Sequence, residues 1–195
     1  AHVCDDSGIQ NYIDSFFKSE APELIKDVKK ELIFIGKTLD GKKYNIDIIA
    51  QDAKNDICIV WVKDLYKKAL NVSPQRPEIG DKVYNMAAPL GIYHPGMIPL
   101  QEGLYNGQKK NADIYSIPAI GGSSGSPIVN HKGELVGMIH SVYRNFNHVS
   151  LSPTYDDLTQ FIYSKTTKHV GDHMVDVLMK QLIKKKEISI PTDKE

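Results

Sequence analysis

Cysteine is nearly absent: Cys4 and Cys58 are the only two in 195 residues, too few for a disulfide framework. The expectation is two free buried thiols, with a single bridge between them as the alternative. Net charge is absent too, with 24 basic residues against 24 acidic ones, so no overall field draws the chain to nucleic acid. The longest charged run, Lys184-Lys185-Lys186-Glu187, reads as a solvated helix end. No apolar stretch approaches the roughly 18 residues that a membrane-spanning helix requires. No signal-peptide pattern and no initiator Met stand at the start, and the chain opens on Ala1-His2, as a processed form or a piece of something longer would. No metal-ligand spacing or cofactor motif stands out, and neither group is expected. Compartment and oligomeric state are not readable. The length suits one domain or two small barrels.

Present instead is Gly121-Gly122-Ser123-Ser124-Gly125-Ser126-Pro127, between the apolar runs Ile117-Pro118-Ala119-Ile120 and Ile128-Val129. Glycine admits positive φ and close approach of a ligand to the backbone. Successive N–H groups in such a bend can form a nest for an anion. A serine inside it can attack a carbonyl while those N–H groups hold the developing oxyanion. Two registers compete. As G-x-S-x-G the nucleophile is Ser123, and a helix must come next. The bend leads instead into Ile128-Val129, a turn at Asn130 to Gly133, and Leu135 to Ile139, a strand–turn–strand pattern. That register is rejected. As G-x-S-G-S-P the nucleophile is Ser124. The alternative without chemistry is a Gly/Ser hairpin loop.

The remaining pattern is mostly β. Strands are expected over 31–36, 43–50, 56–62, 79–88, 101–107, 112–117, 134–142 and 148–153. An Asp-Gly hairpin turn is expected at Leu39-Asp40-Gly41-Lys42. Tyr44, Ile46 and Ile48 should share one face of their strand, with Asn45 and Asp47 on the other. Residues 63–77 read as a linker, and residues 93–101 as an exposed loop. Helical spacing appears over 9–17, over 154–163 and over 173–183. The last is amphipathic, with Met174, Val177, Leu178 and Leu182 on one side.

Gly122-Ser123-Ser124-Gly125-Ser126-Pro127 resembles the active-site loop of trypsin-like serine proteases, whose usual form is G-x-S-G-G-P. Ser126 replaces the commoner Gly, a variant associated with bacterial glutamyl endopeptidases. Ala1-His2-Val3-Cys4 resembles the T-A-A-H-V segment that carries the family's catalytic His. The span from Leu32 to Val62 resembles the HtrA-type branch, and there Asp56 matches the triad carboxylate. Gly80-Asp81 through Gly91 resembles the G-D-x-V-x-A-x-G-x-P-x-G strand and turn opening the second barrel. Alone, a terminal His means little and an Asp before a strand is usually a turn cap. The order His2, Asp56, Ser124 is that of chymotrypsin-type enzymes.

The resemblance implies an all-β, chymotrypsin-like fold of two Greek-key β-barrels, the first incomplete at its N-terminus, followed by C-terminal helices. It divides the chain into 1–70 (partial first barrel, with His2 and Asp56), 71–155 (second barrel, with Ser124) and 156–195 (helices and a basic tail). No PDZ-like segment is expected after the barrels. It implies a serine endopeptidase acting on protein or peptide substrates, with no nucleic-acid partner, no membrane span and no cofactor. His2, Asp56 and Ser124 would be catalytic, and the N–H groups of Gly122 and Ser124 would form the oxyanion hole. Ser123 stands where zymogens of the family often carry an Asp, which argues against activation through a new N-terminus. His140, Ser141, Val142 and His148 would line the substrate site. His140 falls one residue from the position at which glutamyl endopeptidases read an acidic P1 side chain, and such a shift in a strand reverses its face. A single residue ahead of His2 would leave the imidazole on a frayed end, so this piece alone could be inactive. The alternatives are a non-catalytic member of the fold that binds through its cleft, and an esterase using Ser123.

Overall fold

The computed structural model describes residues 4, 5, 15, 18, 19, 33–143 and 146–166. His2 and the helices expected over 9–17 and 173–183 lie wholly or mostly outside them. The chain forms two compact units, Ala1–Thr159 and Gln160–Glu195, and everything described below as a site belongs to the first.

Ten strands occur among the described residues. The first sheet contains β1 (Phe34–Lys37), β2 (Lys43–Asp52) and β3 (Ile57–Trp61), paired antiparallel in that order. The Asp-Gly turn forms as a five-residue loop closed by Lys37 opposite Lys43. There Gly41 takes φ 84° and donates its N–H to Thr38 O at 2.8 Å. Over residues 43–48 of β2, Tyr44, Ile46 and Ile48 are partly buried while Asn45 and Asp47 face solvent, as the period of two requires.

The second sheet contains β4 (Lys82–Met86), β5 (Leu100–Lys109), β6 (Ala112–Tyr115), β7 (Pro127–Asn130), β8 (Leu135–Met138), β9 (Ser141–Tyr143) and β10 (Phe146–Pro153). Its order is β8-β7-β4-β5-β6-β10-β9. Strands β4, β5 and β6 form a meander and β7 returns beside β4, which is a Greek key. Buried Val83, Tyr105, Tyr115, Ile117, Ile128 and Val136 come from its inward positions, and each such side chain contributes about 1.5–3 kcal/mol. At Gly103 a Cβ would lie 2.5 Å from Ser116 O, so only glycine lets β5 pass the chain beyond β6.

The fold is mostly β, of the chymotrypsin-like kind, with a helix over 155–166 after the second sheet. Thr154 caps that helix, accepting Asp157 N–H at 3.1 Å and donating to Asp157 Oδ2 at 2.6 Å. The expected barrels are not closed among the described residues, where both sheets are open. Three strands cannot complete a barrel, and no ladder joins β8 to β10. The second sheet curls until β8 meets β10 through Met138 N–H on Ser152 Oγ (3.0 Å), and just past β8 His140 N–H donates to Leu151 O (3.0 Å).

Three further expectations need revision. The strand expected to end at Gly107 instead continues to Lys109 through a bulge, with a register shift between Tyr105 and Gly107 and Gly107 at φ 101°. The single strand expected over 134–142 divides into β8 and β9, because the chain changes partner from β7 to β10 at residues 139–140. Cys4 and Cys58 are bonded as a disulfide rather than free. Residues 63–77, expected as a linker, connect β3 to β4, and part of them is tied to the second sheet: Ser73 N–H donates to Leu135 O (2.9 Å) and Leu135 N–H to Asn71 O (2.8 Å). Among the described residues no helix is long and apolar enough to cross a membrane.

Candidate active site

The glycine–serine bend follows the buried run from Tyr115 to Ala119 and enters β7 directly at Pro127, so no helix springs from it. Ser123 is 1 % exposed, and its side chain and backbone close on Ile120: Ile120 N–H donates to Ser123 Oγ (3.3 Å) and Ser123 N–H to Ile120 O (2.9 Å). Ser124 is partly exposed, and its Oγ–H donates to His140 O at 3.5 Å. The two serines therefore differ physically: one is sealed into the turn, the other stands at the surface.

Two peptide groups of the bend are pinned by their carbonyls. Leu90 N–H donates to Gly121 O at 2.7 Å, and Ser126 N–H and Oγ–H donate to Ser123 O at 3.2 and 2.6 Å. A trans peptide carries its C=O and N–H on opposite sides. Pinning Gly121 O thus turns Gly122 N–H away, and pinning Ser123 O turns Ser124 N–H away. Among the described residues neither of those N–H groups has an acceptor. Gly122 takes φ 92°, and a Cβ on it would meet Ala88 O at 2.7 Å and Leu90 N at 2.9 Å. Leu90 itself sits at φ 53°, a conformation that costs a non-glycine residue about 1 kcal/mol.

Asp56 stands immediately before β3. An Asx turn delivers it: Asp52 Oδ1 accepts Lys54 N–H (3.0 Å) and Asn55 N–H (3.2 Å). Asp56 takes φ 56°, a second strained position in the surroundings of the bend. Its Oδ2 lies 3.7 Å from His140 Nδ1, both side chains being a little over one-fifth exposed. Residue 140 thus meets Asp56 through its ring and Ser124 through its carbonyl. A hollow of about 270 Å³, with Phe34, Ile46, Ile48, Val60 and Ile139 on its walls, opens beside Asp56 and His140. Apolar walls of this kind strengthen charge interactions next to them.

Ser141 and Val142 lie on β9, both partly buried, with Val142 packed on the core of the second sheet. His148, on β10, is exposed with its ring 6.0 Å from that of Phe146. The structure therefore brings Asp56, Ser124 and His140 together, sets Ser141 and Val142 in the next strand, and leaves His148 at the surface. Two participants escape a reading of motifs alone. Asn85 and the hydroxyl of Ser126 support the bend from beneath, and only the motif's departure at Ser126 hints at either.

An open Greek-key sheet carrying a glycine-lined serine bend, with a carboxylate delivered to it from a second sheet, is the architecture of chymotrypsin-like proteins. The chain belongs to the trypsin-like peptidase domain family, whose sequence profile matches residues 1–138. Its fold is similar to that of a serine endoprotease from Yersinia pestis, with TM-score 0.61 and 16 % identity over 70 % of this chain and 50 % of that one. It is also similar to the Rv3671c protease of M. tuberculosis in its active form, with TM-score 0.55 and 14 % identity over 64 % of this chain and 60 % of that one. The chain thus spans half to three-fifths of the length of these two structures. No curated protein matches its sequence.

Proposed function

We propose that the chain is a serine endopeptidase that hydrolyses peptide bonds through His2, Asp56 and Ser124. In this reading Ser124 Oγ attacks the scissile carbonyl carbon as its proton passes to the His2 imidazole. Asp56 orients that imidazole and offsets its charge. The carbonyl oxygen becomes an oxyanion held by Gly122 N–H and Ser124 N–H. Collapse breaks the C–N bond, and the proton on His2 goes to the leaving amine. Water, deprotonated by the same base, then hydrolyses the acyl-enzyme. Substrate main chain would lie along residues 140–142, adding a strand at β9. His148 would stand at the other wall of the pocket. Since the ring of His140 is turned towards Asp56, the contribution assigned to residue 140 in substrate binding is that of its main chain. Residues 1–70 and 71–155 would supply the two halves of the cleft, with 156–195 outside it.

The observation that carries this reading is the pair of N–H groups that flank Ser123 and have no acceptor among the described residues, in a bend whose next serine is accessible. Both are open to solvent, so water can hold them in the free protein and an oxyanion can take its place. Asp56 meeting the same residue as Ser124 adds to it. The test is active-site labelling of the full-length protein with a fluorophosphonate, read by intact mass and peptide mapping. One adduct on Ser124 is expected, lost in Ser124→Ala and retained in Ser123→Ala. An unlabelled protein would favour a binding module, and an adduct on Ser123 an esterase.

A further inference from the structure

We propose that Asn85 and Ser126 are positioning residues that aim the Ser124 N–H at the oxyanion. This rests on the proposed function, in which that N–H is a catalytic donor. Asn85 lies in β4, which is paired on both sides, with β5 and β7, and it is fully buried. Its Nδ2 is 2.8 Å from Pro127 O and 2.8 Å from Ser126 Oγ. Pro127 O is a carbonyl and only accepts, which fixes the amide orientation of Asn85. Both amide hydrogens are then used, one on Pro127 O and one on Ser126 Oγ. Ser126 Oγ must therefore accept from Asn85, and its own proton is left for the third neighbour, Ser123 O, at 2.6 Å.

The chain of donors runs in one direction, from a central strand to the carbonyl of the Ser123–Ser124 peptide. The Ser126 N–H, at 3.2 Å, is a longer second hold on the same carbonyl. Because the peptide is planar, fixing Ser123 O fixes the direction of Ser124 N–H on its far side. Asn85 Oδ1 is buried and has no hydrogen-bond partner among the described residues. An unsatisfied buried acceptor is a standing cost, and it goes with a side chain held for its amide hydrogens alone.

The experiment uses the full-length protein with Ser126→Ala, Asn85→Ala, the double variant and Ser126→Thr. Five quantities are measured: kcat and KM on a peptide ester, affinity for a peptide boronate whose tetrahedral adduct needs the oxyanion hole, thermal midpoint, and the Ser124 amide resonance. Removing an oxyanion donor outright costs about 10²–10³ in rate, so loosening its aim should lower kcat about tenfold. Boronate affinity should fall by a similar factor while KM stays within about twofold. Ser126→Thr keeps the hydroxyl and should restore kcat. The double variant should cost little more than Ser126→Ala, since both break one chain of donors. Asn85 is fully buried, so Ser126→Ala, the milder change, decides first. A Ser126→Ala protein with wild-type kcat, wild-type boronate affinity and an unmoved Ser124 amide would overturn the inference. A wild-type protein without esterase activity would overturn the proposed function instead, and the Ser124 amide would then decide the clamp by itself: shifted in Ser126→Ala it stands, unmoved it falls.

Discussion

Breaking the Cys4–Cys58 bond should destabilise the protein by about 4 kcal/mol at 25 °C. The bond closes a loop of 54 residues in sequence. In the chain-entropy account a cross-link removes freedom from the unfolded chain that grows with the logarithm of loop length, which gives that figure for a loop of this size. It is a large share of the roughly 5–15 kcal/mol by which native chains are stable. With about 2–4 °C of midpoint per kcal/mol for a chain of this length, it predicts a drop of about 8–16 °C. The assay is thermal and denaturant unfolding of the wild type before and after reduction, beside the Cys4→Ala/Cys58→Ala variant. Reduced wild type keeps both side chains and so isolates the cross-link. Gln51 Nε2 donates to Cys4 O at 3.1 Å, a second attachment of residue 4 to β2 that survives reduction and limits the loss. The bond also bears on catalysis as proposed: His2 lies two residues before Cys4 and Asp56 two residues before Cys58. Two residues reach at most about 7 Å, so the cross-link leashes the base to the acid, and kcat should fall in the reduced protein while it is still folded. Two alkylatable thiols in protein never exposed to reductant, or coincident unfolding curves with and without reductant, would refute this.

Gly122→Ala should cut activity by about 10²-fold or more, because its Cβ would meet Ala88 O and Leu90 N within 3 Å and its φ of 92° suits glycine alone; a steady-state rate near wild type would count against the oxyanion role. Gly103→Ala should lower stability by a few kcal/mol with no change in KM, since a Cβ there would sit 2.5 Å from Ser116 O; denaturant midpoints measure it. Asp113 is fully buried, and burial pushes its carboxyl above the ordinary value of 3.8, against the opposing hydrogen bonds from Tyr155 N–H and Tyr105 Oη–H. The folded state then holds the proton more tightly than the unfolded chain, so stability falls as pH rises from about 3.8 through the folded value. The wild-type midpoint minus that of Asp113→Asn should be larger at pH 4 than at pH 7; a difference independent of pH would remove Asp113 from the account.

Much of the first sheet was legible because its signals are local. Asp40-Gly41 sets a turn, and Tyr44, Ile46 and Ile48 alternate with polar neighbours, so period and turn chemistry agree. The break between β8 and β9 was not legible. Val136 to Val142 is continuously suited to a strand, and the interruption comes from which neighbour the chain pairs with. The bulge at Gly107 was hidden for the same reason: a glycine after an asparagine reads as the end of a strand until β5 is seen to run on through it to Lys109 beside β6. Cys4 and Cys58 carried no local signal for pairing, since a bridge depends on two Cα atoms coming within 6.5 Å across 54 residues. At the site, the bend announced itself through its composition and Ser126 through its departure from the usual motif. Asn85 gave no such signal, because an asparagine in a strand is informative only once its neighbours in space are known.

The point where the second sheet changes pairing also explains why residue 140 sits between acid and serine. Ile139 exchanges two backbone hydrogen bonds with the bend, accepting Gly125 N–H at 2.7 Å and donating to Ser126 O at 3.0 Å. Residue 140 then gives its N–H to Leu151 O on β10. Consecutive residues are thereby fixed to opposite sides of the sheet's opening, one to the nucleophile-bearing bend and the next to the far strand. A chain so held cannot slide by one residue without breaking three backbone bonds at once. The carbonyl of residue 140 is left facing Ser124, and its ring faces Asp56. A strand running straight through 134–142, as its residues alone suggest, would satisfy either the bend or β10 but not both. The open curl of the sheet, rather than any single motif, is what sets the carboxylate and the hydroxyl on one residue.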